Sequence, residues 1–555
     1  MSTGRELLGQ ILKARGAVTE AQVQRALEDQ RKHGGMIGQC LVALSACTEG
    51  DVAMALAAQA GMETVDLHAV QPEPDAVASL EGSTCHTFGV LPLRIEGGTL
   101  VVVLADPLNQ SVLEDLSFTT GMPVRAAVGD AVRLKEMVVE CYGAEETLAD
   151  AIADAASATL SGDAESAASA KPVVRLLNSI LHRAVRDRAS DVHFEVYEDL
   201  FRIRYRVDGS LYEVEAPPPH LALPLVSRIK VMADLDITEV RLPQDGRIEL
   251  AIDGRPVDLR VATLPSRSGE GCVMRVLDRS AVSLDLEALG LRGEDEAALR
   301  GLTRLPYGIV LVTGPTGSGK TTTLYAMLSE ANEPDVKIIT VEDPVEYDIA
   351  GIVQVPIHED IGVTYSKVLR SILRQDPDKI LVGEIRDRET ASTAVEASLT
   401  GHTVFATIHT NDAPSTVTRL VDMGIEPFLI TATLEAVVAQ RLVRTICSDC
   451  SQSYEPDDDL LNELGADGAG VRGATLYYGK GCESCHHTGY RGRMGIFEIL
   501  TMDESIRSLV QTGASMEELR AAAIGAGMRS LRAAGLQAAL EGRTTLEEVL
   551  RETAA

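Results

Sequence analysis

The segment GPTGSGKT at Gly314–Thr321 restricts the possible folds of this chain more than any other feature. It fits the pattern G-x-x-x-x-G-K-[ST] at every position, between an apolar run, GIVLVT, and a helical run, TTTLYAMLSEA. The glycines let backbone N–H groups curl around a phosphate, and the N-terminus of the following helix favours negative charge. The segment therefore predicts a phosphate-binding loop between a strand and a helix of a parallel α/β sheet.

This pattern predicts a site for ATP. Lys320 is expected to reach the β- and γ-phosphates, and the Thr321 hydroxyl is expected to ligate Mg²⁺. The alternative is a chance glycine-rich turn, and the strand and helix on either side argue against it. The predicted nucleotide-binding residues are Gly314, Pro315, Thr316, Gly317, Ser318, Gly319, Lys320 and Thr321.

Acidic and histidine side chains follow three other predicted strands of the same region. They are Glu342, Asp343 and Glu346 in ITVEDPVEY, Glu384 in ILVGEIRD, and His409 in TGHTVFATIHT, which also has His402 at its start. Ligands bind outside the carboxyl ends of strands in open α/β sheets. Such a cluster can hold Mg²⁺, orient water and contact the γ-phosphate. The alternative for each group is an ordinary surface side chain or a core side chain whose hydrogen bonds are satisfied.

Two CxxC pairs, 31 residues apart, are the strongest metal signal. They consist of Cys447, Cys450, Cys482 and Cys485. Four thiolates at this spacing predict a closed, structural Zn²⁺ site with tetrahedral geometry. A redox role for either pair is the alternative.

Composition shifts and periodicity divide the chain into six segments. The linker suits a frayed helix or a flexible tether, and a tether is favoured because the segment is rich in Ala, Ser and acids. The segments are an N-terminal α/β domain with a helical repeat (1–144), an acidic Ala/Ser-rich linker (145–170), an α+β domain (171–278), an α/β ATPase core (279–444), a zinc-binding module (445–497) and a C-terminal helical segment (498–555).

The formal net charge of −31 argues against broad binding to nucleic acid, since such binding needs cationic surfaces. The N-terminus is charged throughout and lacks the apolar core of a signal peptide. The sequence has no apolar run of about 20 residues, the length that a membrane helix needs. We therefore expect a cytoplasmic protein.

The chain resembles the secretion ATPase superfamily of GspE and PilB, the motors of type II secretion and type IV pilus assembly. The resemblance covers nearly the whole chain. It rests on ASDVHFE (189–195), RYRVDG (204–209), SRIKVMADLDITEVRLPQDGRI (227–248), VDLRVATLPS (257–266), the P-loop, EDPVEY, LRQDPDKILVGEIRD, TGHTVFATIHTNDA and GCESCHHTGYRGRMGIFEIL.

The resemblance implies a PAS-like domain at 171–278 that packs against a RecA-like ATPase core, and a homo-hexamer attached to the inner membrane through platform proteins. It implies that Glu346 positions or deprotonates water, that Glu384 acts through magnesium, and that His409 contacts the γ-phosphate. It also implies arginines that complete the ATP site. The candidates are Arg260, Arg275, Arg370 and Arg374.

The N-terminal repeat resembles a tandem motif that binds cyclic di-GMP in some family members. This copy departs from the motif, because Ser45 stands opposite Gly16 and Gly34 stands opposite Arg5. A helical docking domain for a membrane-platform protein is therefore the favoured interpretation.

The sequence as a whole predicts an ATPase motor, and two details favour type II secretion over pilus assembly, namely KVMADLDITEVRLPQDGRI and LDLEALGL. Two other classes of protein are alternatives. A nucleotide-gated regulatory protein would keep the P-loop without needing the acids or arginines. A DNA-translocating motor would need a basic track, which is not evident in the sequence.

Overall fold

The computed structural model describes most of the chain as two compact units, residues 1–281 and 282–555. Each unit has its own hydrophobic cores. The described residues are 8–33, 37–44, 46–60, 62–80, 82–104, 111–142, 147–158, 164–252, 255–278, 284–456, 464 and 470–554.

The first unit begins with the two predicted helix pairs. Thr19 and Gln22 form a reciprocal cap at the start of the second helix: Gln22 N donates to Thr19 Oγ1 at 3.4 Å, and Thr19 N donates to Gln22 Oε1 at 2.8 Å. Thr48 and Asp51 cap the fourth helix in the same way. The helices are α1 (Leu8–Ala14), α2 (Glu20–His33), α3 (Ile37–Ala43) and α4 (Glu49–Ala60).

A glycine in each copy of the repeat lets its two helices approach closely. A Cβ atom at Gly9 would lie 2.9 Å from Val23 Cγ1, and a Cβ atom at Gly38 would lie 2.8 Å from Val52 Cγ1. The repeated glycines are therefore explained by helix packing alone.

A four-stranded sheet with the order β1-β4-β3-β2 follows the helix pairs, parallel except between β2 and β3. Its buried valines and leucines form one core with the surrounding helices. The elements are β1 (Glu63–Thr64), α5 (Pro74–Val77), α6 (Gly82–Phe88), β2 (Val90–Glu96), β3 (Thr99–Leu104), α7 (Ser111–Thr120), β4 (Val124–Val128) and α8 (Ala131–Tyr142).

The flexible tether favoured for the linker is wrong over its first half. Residues Leu148–Ser157 form helix α9, and a shorter helix, α10, covers Ala164–Ala168. Leu148, Ala151 and Ala155 are spaced at three and four residues, so they share one face. That face is buried in the core of the next domain. Alanine is a good helix former, and a narrow alanine face suffices to pack against a neighbouring helix.

That next domain is a six-stranded antiparallel sheet with the order β7-β6-β5-β10-β9-β8. Its core joins one face of the sheet to the two longest helices of the region. The elements are α11 (Lys171–Arg186), β5 (Asp191–Val196), β6 (Phe201–Val207), β7 (Ser210–Glu213), a 3₁₀ turn at Pro219–Leu221, α12 (Ala222–Met232), β8 (Gln244–Ile252), β9 (Arg255–Ser266) and β10 (Gly269–Asp278).

The second unit is built on a seven-stranded sheet with the order β13-β12-β14-β15-β11-β16-β19, parallel except for the last strand. The central strands are apolar and buried on both faces, as expected for a sheet covered by helices. Its strands are β11 (Gly308–Thr313), β12 (Ile338–Glu342), β13 (Val353–Pro356), β14 (Lys379–Val382), β15 (Thr403–Ile408), β16 (Leu434–Ile446) and β19 (Tyr490–Thr501).

Helices flank this sheet and form the C-terminal segment. Each helix in the described ranges of the chain is too short or too polar to cross a bilayer. The helices are α13 (Gly293–Thr303), α14 (Lys320–Glu330), α15 (Tyr365–Ile372), α16 (Arg388–Leu399), α17 (Ala413–Asp422), α18 (Pro427–Thr433), α19 (Glu504–Thr512), α20 (Met516–Gly525), α21 (Leu531–Leu540) and α22 (Leu546–Glu552), with 3₁₀ turns at Leu286–Leu289, Glu359–Ile361 and Glu483–Cys485.

The predicted boundaries at 444 and 497 both cut strands of this sheet. β16 continues to Ile446, and β19 pairs with it in antiparallel fashion from Tyr490 to Thr501. The cysteine segment is therefore an insertion between two paired strands, with its own small ribbon of β17 (Ser451–Tyr454) and β18 (Leu476–Gly479). Pairing between distant strands leaves no local signal in the sequence. The remaining domain boundaries stay a prediction.

Replacing Thr147 with Ala should destabilise helix α9 by about 1 kcal/mol, because Thr147 and Asp150 form a reciprocal cap at its start. Hydrogen exchange of the amides of 151–157 should become faster in this variant. Ser157→Ala is the control, because its hydroxyl donates only to the Asp154 carbonyl at the far end of the helix. Unprotected amides in the unmodified protein would contradict the helix.

Candidate nucleotide site and four-cysteine cluster

Three glycines with positive φ shape the phosphate-binding loop between β11 and α14. Gly314, Gly317 and Gly319 have φ of +148°, +80° and +88°. A Cβ atom at Gly314 would lie 2.5 Å from Gln440 O and 2.6 Å from Ser318 Oγ. Ser318 is 4% exposed, and its hydroxyl makes no hydrogen bond to the described part of the chain. The loop therefore requires glycine and presents a buried polar atom, which fits a phosphate ligand.

Gln440 on β16 supports this loop from the neighbouring strand. Its side chain is 2% exposed, and its Oε1 accepts a hydrogen bond from Thr323 Oγ1 at 2.8 Å. Its Nε2 lies 2.9 Å from where a Cβ atom of Gly319 would stand. Gln440 thereby holds both the loop and the start of α14 against β16.

Lys320 begins α14 and folds back over the loop. Its Nζ donates to Gly314 O at 2.8 Å and to Pro315 O at 3.0 Å. Burial lowers the pKa of the Lys320 ammonium; the Glu384 carboxylate opposes that shift, and the Arg441 guanidinium adds to it. A partly desolvated ammonium next to a phosphate loop gains more from binding an anion than a fully hydrated one.

Glu384 and His409 meet at the same edge of the sheet. Glu384 follows β14 and is 14% exposed, whereas His409 follows β15 and is 45% exposed. His409 Nε2 lies 2.9 Å from Glu384 Oε1, and Arg386 Nε donates to Glu384 Oε2 at 2.7 Å. The structure therefore brings these two predicted residues together, and the Glu384 charge also acts on Lys320.

Hydroxyl groups fix the end of β15 to the end of β11. Thr313 Oγ1 lies 2.6 Å from Thr410 Oγ1 and accepts a hydrogen bond from Thr410 N at 2.9 Å. Thr410 Oγ1 in turn lies 2.6 Å from Thr416 Oγ1. These contacts hold Thr410, which follows His409, against Thr313, which precedes the P-loop. His402 lies at the opposite end of β15, where its ring contacts Ala397 O at 2.9 Å, so it is not part of the site.

The last residue of β12 is a buried glutamate, and a half-buried glutamate lies in the segment that follows. Glu342 is 4% exposed and accepts hydrogen bonds from Tyr325 Oη, from Thr340 Oγ1 at 2.5 Å and from Gln354 Nε2 at 3.2 Å. Such a fully bonded carboxylate is structural. Glu346 is half-buried, and its backbone N donates to Tyr325 Oη at 3.3 Å. This hydrogen bond connects the backbone of Glu346 to α14, the helix that follows the P-loop. The third predicted acid, Asp343, is exposed.

Two of the predicted arginines lie in this unit, but their hydrogen bonds go to groups outside the P-loop. Arg370 Nη2 donates to Glu389 Oε1 at 2.6 Å, and Arg374 Nη1 donates to Arg370 O at 2.9 Å. The described contacts therefore do not join Arg370 or Arg374 to the P-loop of the same chain.

The other two predicted arginines lie in the first unit, directly opposite each other on β9 and β10. Arg260 pairs with Arg275 across the two strands, and Arg275 Nε donates to Asp191 Oδ1 at 3.4 Å. Arg247 on β8 stands opposite Arg260 in the same row. The sheet thus places three arginines in one row, where Arg275 pairs with Asp191 and Arg247 pairs with Asp258. The role of Arg260 and Arg275 at an ATP site stays a prediction.

The insertion between β16 and β19 brings all four predicted metal ligands together. The four-cysteine cluster consists of Cys447, Cys450, Cys482 and Cys485, whose sulfur atoms lie within 4.8 Å of one another. Three of the Sγ–Sγ distances are 3.7, 3.9 and 3.9 Å. Sulfur ligands about 2.3 Å from a tetrahedral ion stand about 3.8 Å apart, so the cluster fits a metal.

Backbone amides also point at these sulfur atoms. Gly481 N donates to Cys450 Sγ and Gly489 N donates to Cys485 Sγ, both at 3.3 Å. Burial raises the pKa of the Cys447 and Cys450 thiols. Burial acts in the same direction on Cys485, but the amides of Cys482 and Gly489 hold the pKa of that thiol at about 6. The amides thus favour the thiolate, which is the form that binds a metal.

Several residues of the nucleotide site carry no motif and were missed by sequence reasoning. Gln440 and Arg441 come from β16, more than a hundred residues after the loop that they contact or influence. Arg386 stands within the quoted segment ILVGEIRD, and its position two residues after Glu384 was the available signal. Tyr325 stands within the helical run after the loop, where an apolar pattern hides its hydroxyl.

A phosphate-binding loop on a parallel sheet, with a glutamate and a histidine at adjacent strand ends, defines the chain as a P-loop ATPase. Family comparison agrees with this class. The family model described as "Type II/IV secretion system protein" matches residues 166–551, and the model described as "MshEN domain" matches residues 60–148. The chain belongs to the family of type II/IV secretion system proteins, and the predicted membership is confirmed.

Two curated relatives show how much of the chain is shared. The type IV pilus assembly ATPase PilB of Myxococcus xanthus is 44% identical over 559 residues, covering 99% of each chain. The type II secretion system protein E of Pseudomonas aeruginosa is 51% identical over 382 residues, covering 69% of this chain and 76% of that protein.

Among solved structures, the ATPase DotB of Yersinia pseudotuberculosis is similar with a TM-score of 0.52 at 21% identity. The alignment covers 68% of this chain and 93% of that one. At this level of identity the likeness shows a shared fold, in agreement with the predicted multidomain α/β class with a RecA-like core.

Replacing Gln440 with Leu should weaken ATP binding by about tenfold, because Thr323 loses its buried acceptor and the loop loses its support. Thr323→Val removes the same hydrogen bond from the other side. The double variant should bind ATP about as weakly as Gln440→Leu alone, as measured with a fluorescent ATP analogue. Fully additive losses would show that the Thr323–Gln440 bond is not the support.

Proposed function

We propose that this chain is a hexameric ATPase that couples ATP hydrolysis to assembly of a pseudopilus and to protein export by a type II secretion system. The supporting observation is the contact between Glu384 and His409, 2.9 Å apart beside the P-loop, in a chain of the secretion family. The proposal places the protein in the cytoplasm, attached peripherally to the inner membrane.

In this proposal the chain's own side chains hold ATP and Mg²⁺. The loop amides and Lys320 bind the phosphates, while the Thr321 hydroxyl and Glu384 hold Mg²⁺. Bound magnesium supplies charge neutralisation at the β- and γ-phosphates. His409 contacts the γ-phosphate, and Glu346 orients the attacking water and accepts its proton.

The four arginines would complete the site from a neighbouring subunit. Guanidinium groups stabilise the charge that spreads over a transferring phosphoryl group. Arg370 is half exposed and its ion pair is with the exposed Glu389 carboxylate, so its side chain can exchange partners at little cost. Arg260 and Arg275 stand side by side on one sheet face. These features support a hexamer whose sites are shared between subunits.

The N-terminal domain would dock the motor to a platform protein of the inner membrane. Its helix pairs bury their apolar faces against each other, and an MshEN domain follows them. Binding of cyclic di-GMP stays a secondary proposal. Gly16 has φ of +74°, whereas Arg5, Gly34 and Ser45, on which the departure from the binding motif rests, lie outside the described residues.

Type IV pilus assembly is the second candidate function. It is favoured by the similarity to PilB, which extends over 99% of both chains. The two candidates differ in the fibre that the motor extends. A deletion strain distinguishes them: loss of an exported protein would support type II secretion, and loss of surface pili would support pilus assembly.

ATPase activity of the purified chain should rise as hexamers form, and Glu384→Gln should lower it by on the order of 100-fold or more while ATP still binds. Activity and oligomer size are measured on the same samples. Glu396→Gln is the control, because this exposed glutamate lies on α16 of the same unit. Tight ATP binding without hydrolysis, even in hexamers, would favour the nucleotide-gated regulatory protein instead.

We propose that the four-cysteine cluster holds one structural Zn²⁺. Elemental analysis should find about one zinc per chain. Cys482→Ser should lose the zinc and lower the melting temperature, because metal binding contributes directly to folding of small modules. Cys47→Ser is the control, since Cys47 lies in the bend between α3 and α4, outside the cluster. Full zinc content in the Cys482 variant would contradict this assignment.

A further inference from the structure

The buried tyrosine of the P-loop helix contacts the acidic segment that carries Glu346. Tyr325 lies on α14, five residues after Lys320, and its side chain is fully buried. Its hydroxyl donates to Glu342 Oε2. The Tyr325 hydroxyl oxygen also accepts hydrogen bonds from Glu346 N at 3.3 Å and from Gln354 Nε2 at 3.4 Å. A phenol has one donor and two acceptor positions, so all three are used.

This arrangement differs from an ordinary core tyrosine. Burial raises the pKa of the Tyr325 phenol, and the neighbouring Glu342 carboxylate raises it further, so the hydroxyl stays protonated and keeps donating. The Tyr347 ring stands at 77° to the Tyr325 ring with 6.3 Å between centroids, which fixes the ring plane. The ring contact with Tyr347 and the hydrogen bonds of the hydroxyl thus together fix the position of the Tyr325 side chain.

Gln354 extends the same network along the segment. Its Nε2 also donates to Tyr347 O at 3.0 Å, and its Oε1 accepts from Ile349 N at 2.8 Å. The segment between β12 and β13 is therefore bonded through side chains at several points. Tyr325 is the member of this network that comes from the helix whose first residue is Lys320.

We propose that Tyr325 is a positioning residue that ties the P-loop helix to the backbone of Glu346 and so sets where the Glu346 carboxylate stands relative to bound ATP. The inference rests on the proposed ATPase function and on the proposed role of Glu346. A phosphate that displaces Lys320 acts on the first turn of α14, and the Tyr325 hydroxyl lies one and a half turns further along the same rigid helix.

Tyr325→Phe removes the hydroxyl and keeps the ring. We expect kcat to fall by on the order of 10- to 100-fold, because a misplacement of about 1 Å can cost a catalytic group about 100-fold in rate. The dissociation constant for ATP should change by less than about threefold, since the P-loop itself is untouched. Circular dichroism and oligomer size confirm folding.

Thr340→Val is the matched control, because Thr340 Oγ1 also donates to Glu342 but makes no bond to Glu346. It should keep kcat within about threefold of the unmodified chain. An equal loss in both variants would show that pairing of Glu342, and not placement of Glu346, matters, and would overturn the inference.

A second measurement tests whether Tyr325 acts through Glu346. In a Glu346→Gln background, adding Tyr325→Phe should cause no further loss of kcat, whereas independent roles would multiply the two losses. An unmodified chain without ATPase activity would contradict the proposed function. An active chain whose Tyr325→Phe variant is equally active would contradict this inference alone.

Discussion

The in-register parallel pairing of four strands places the P-loop, Glu384, His409 and the acidic segment at one edge of the sheet. Thr313 on β11 stands opposite Ile408 on β15, and Val382 on β14 stands opposite both Ala406 on β15 and Val341 on β12. The strands therefore end close to one level, where the P-loop, His409, Glu384 and the acidic segment begin. A slip of two residues, about 6.6 Å along a strand, would separate Glu384 from both Lys320 and His409. Close packing of the buried apolar side chains disfavours such a slip, because each side chain would have to leave the space that it fills.

The sequence predicted the parts of this site that depend on local chemistry. The P-loop needs glycines at fixed offsets, and the structure has three of them at positive φ. Glu384 and His409 each follow a short apolar strand, so the carboxyl-end rule for parallel sheets was enough to predict that they meet. The cysteine spacing likewise indicated one cluster. For the P-loop, Glu384 and His409, one short segment of sequence contains both the strand and the functional residues that follow it.

The parts that sequence reasoning missed depend on pairing between distant residues. Gln440 meets the P-loop only because β16 pairs with β11, and β19 joins the sheet only because the cysteine insertion returns the chain to β16. The insertion is fixed at its base: the Arg444 guanidinium lies 3.9 Å from the centre of the Tyr490 ring. Arg444 also pairs with the buried Glu548 of α22. The flexible linker was predicted from composition, which does not reveal that Ala151 and Ala155 face a core.

These contacts also explain how ATP can change the state of the unit. Lys320 is bonded to carbonyls of its own loop, and Glu384 is paired with both Arg386 and His409. In the proposed function, the phosphates of ATP would bind Lys320 and His409, and Glu384 would then give up its contact with His409. A ligand shifts a conformational equilibrium only by the difference between its contacts in the two states. Under that proposal, exchange of partners around Glu384 would supply such a difference, and loss of the γ-phosphate would remove it.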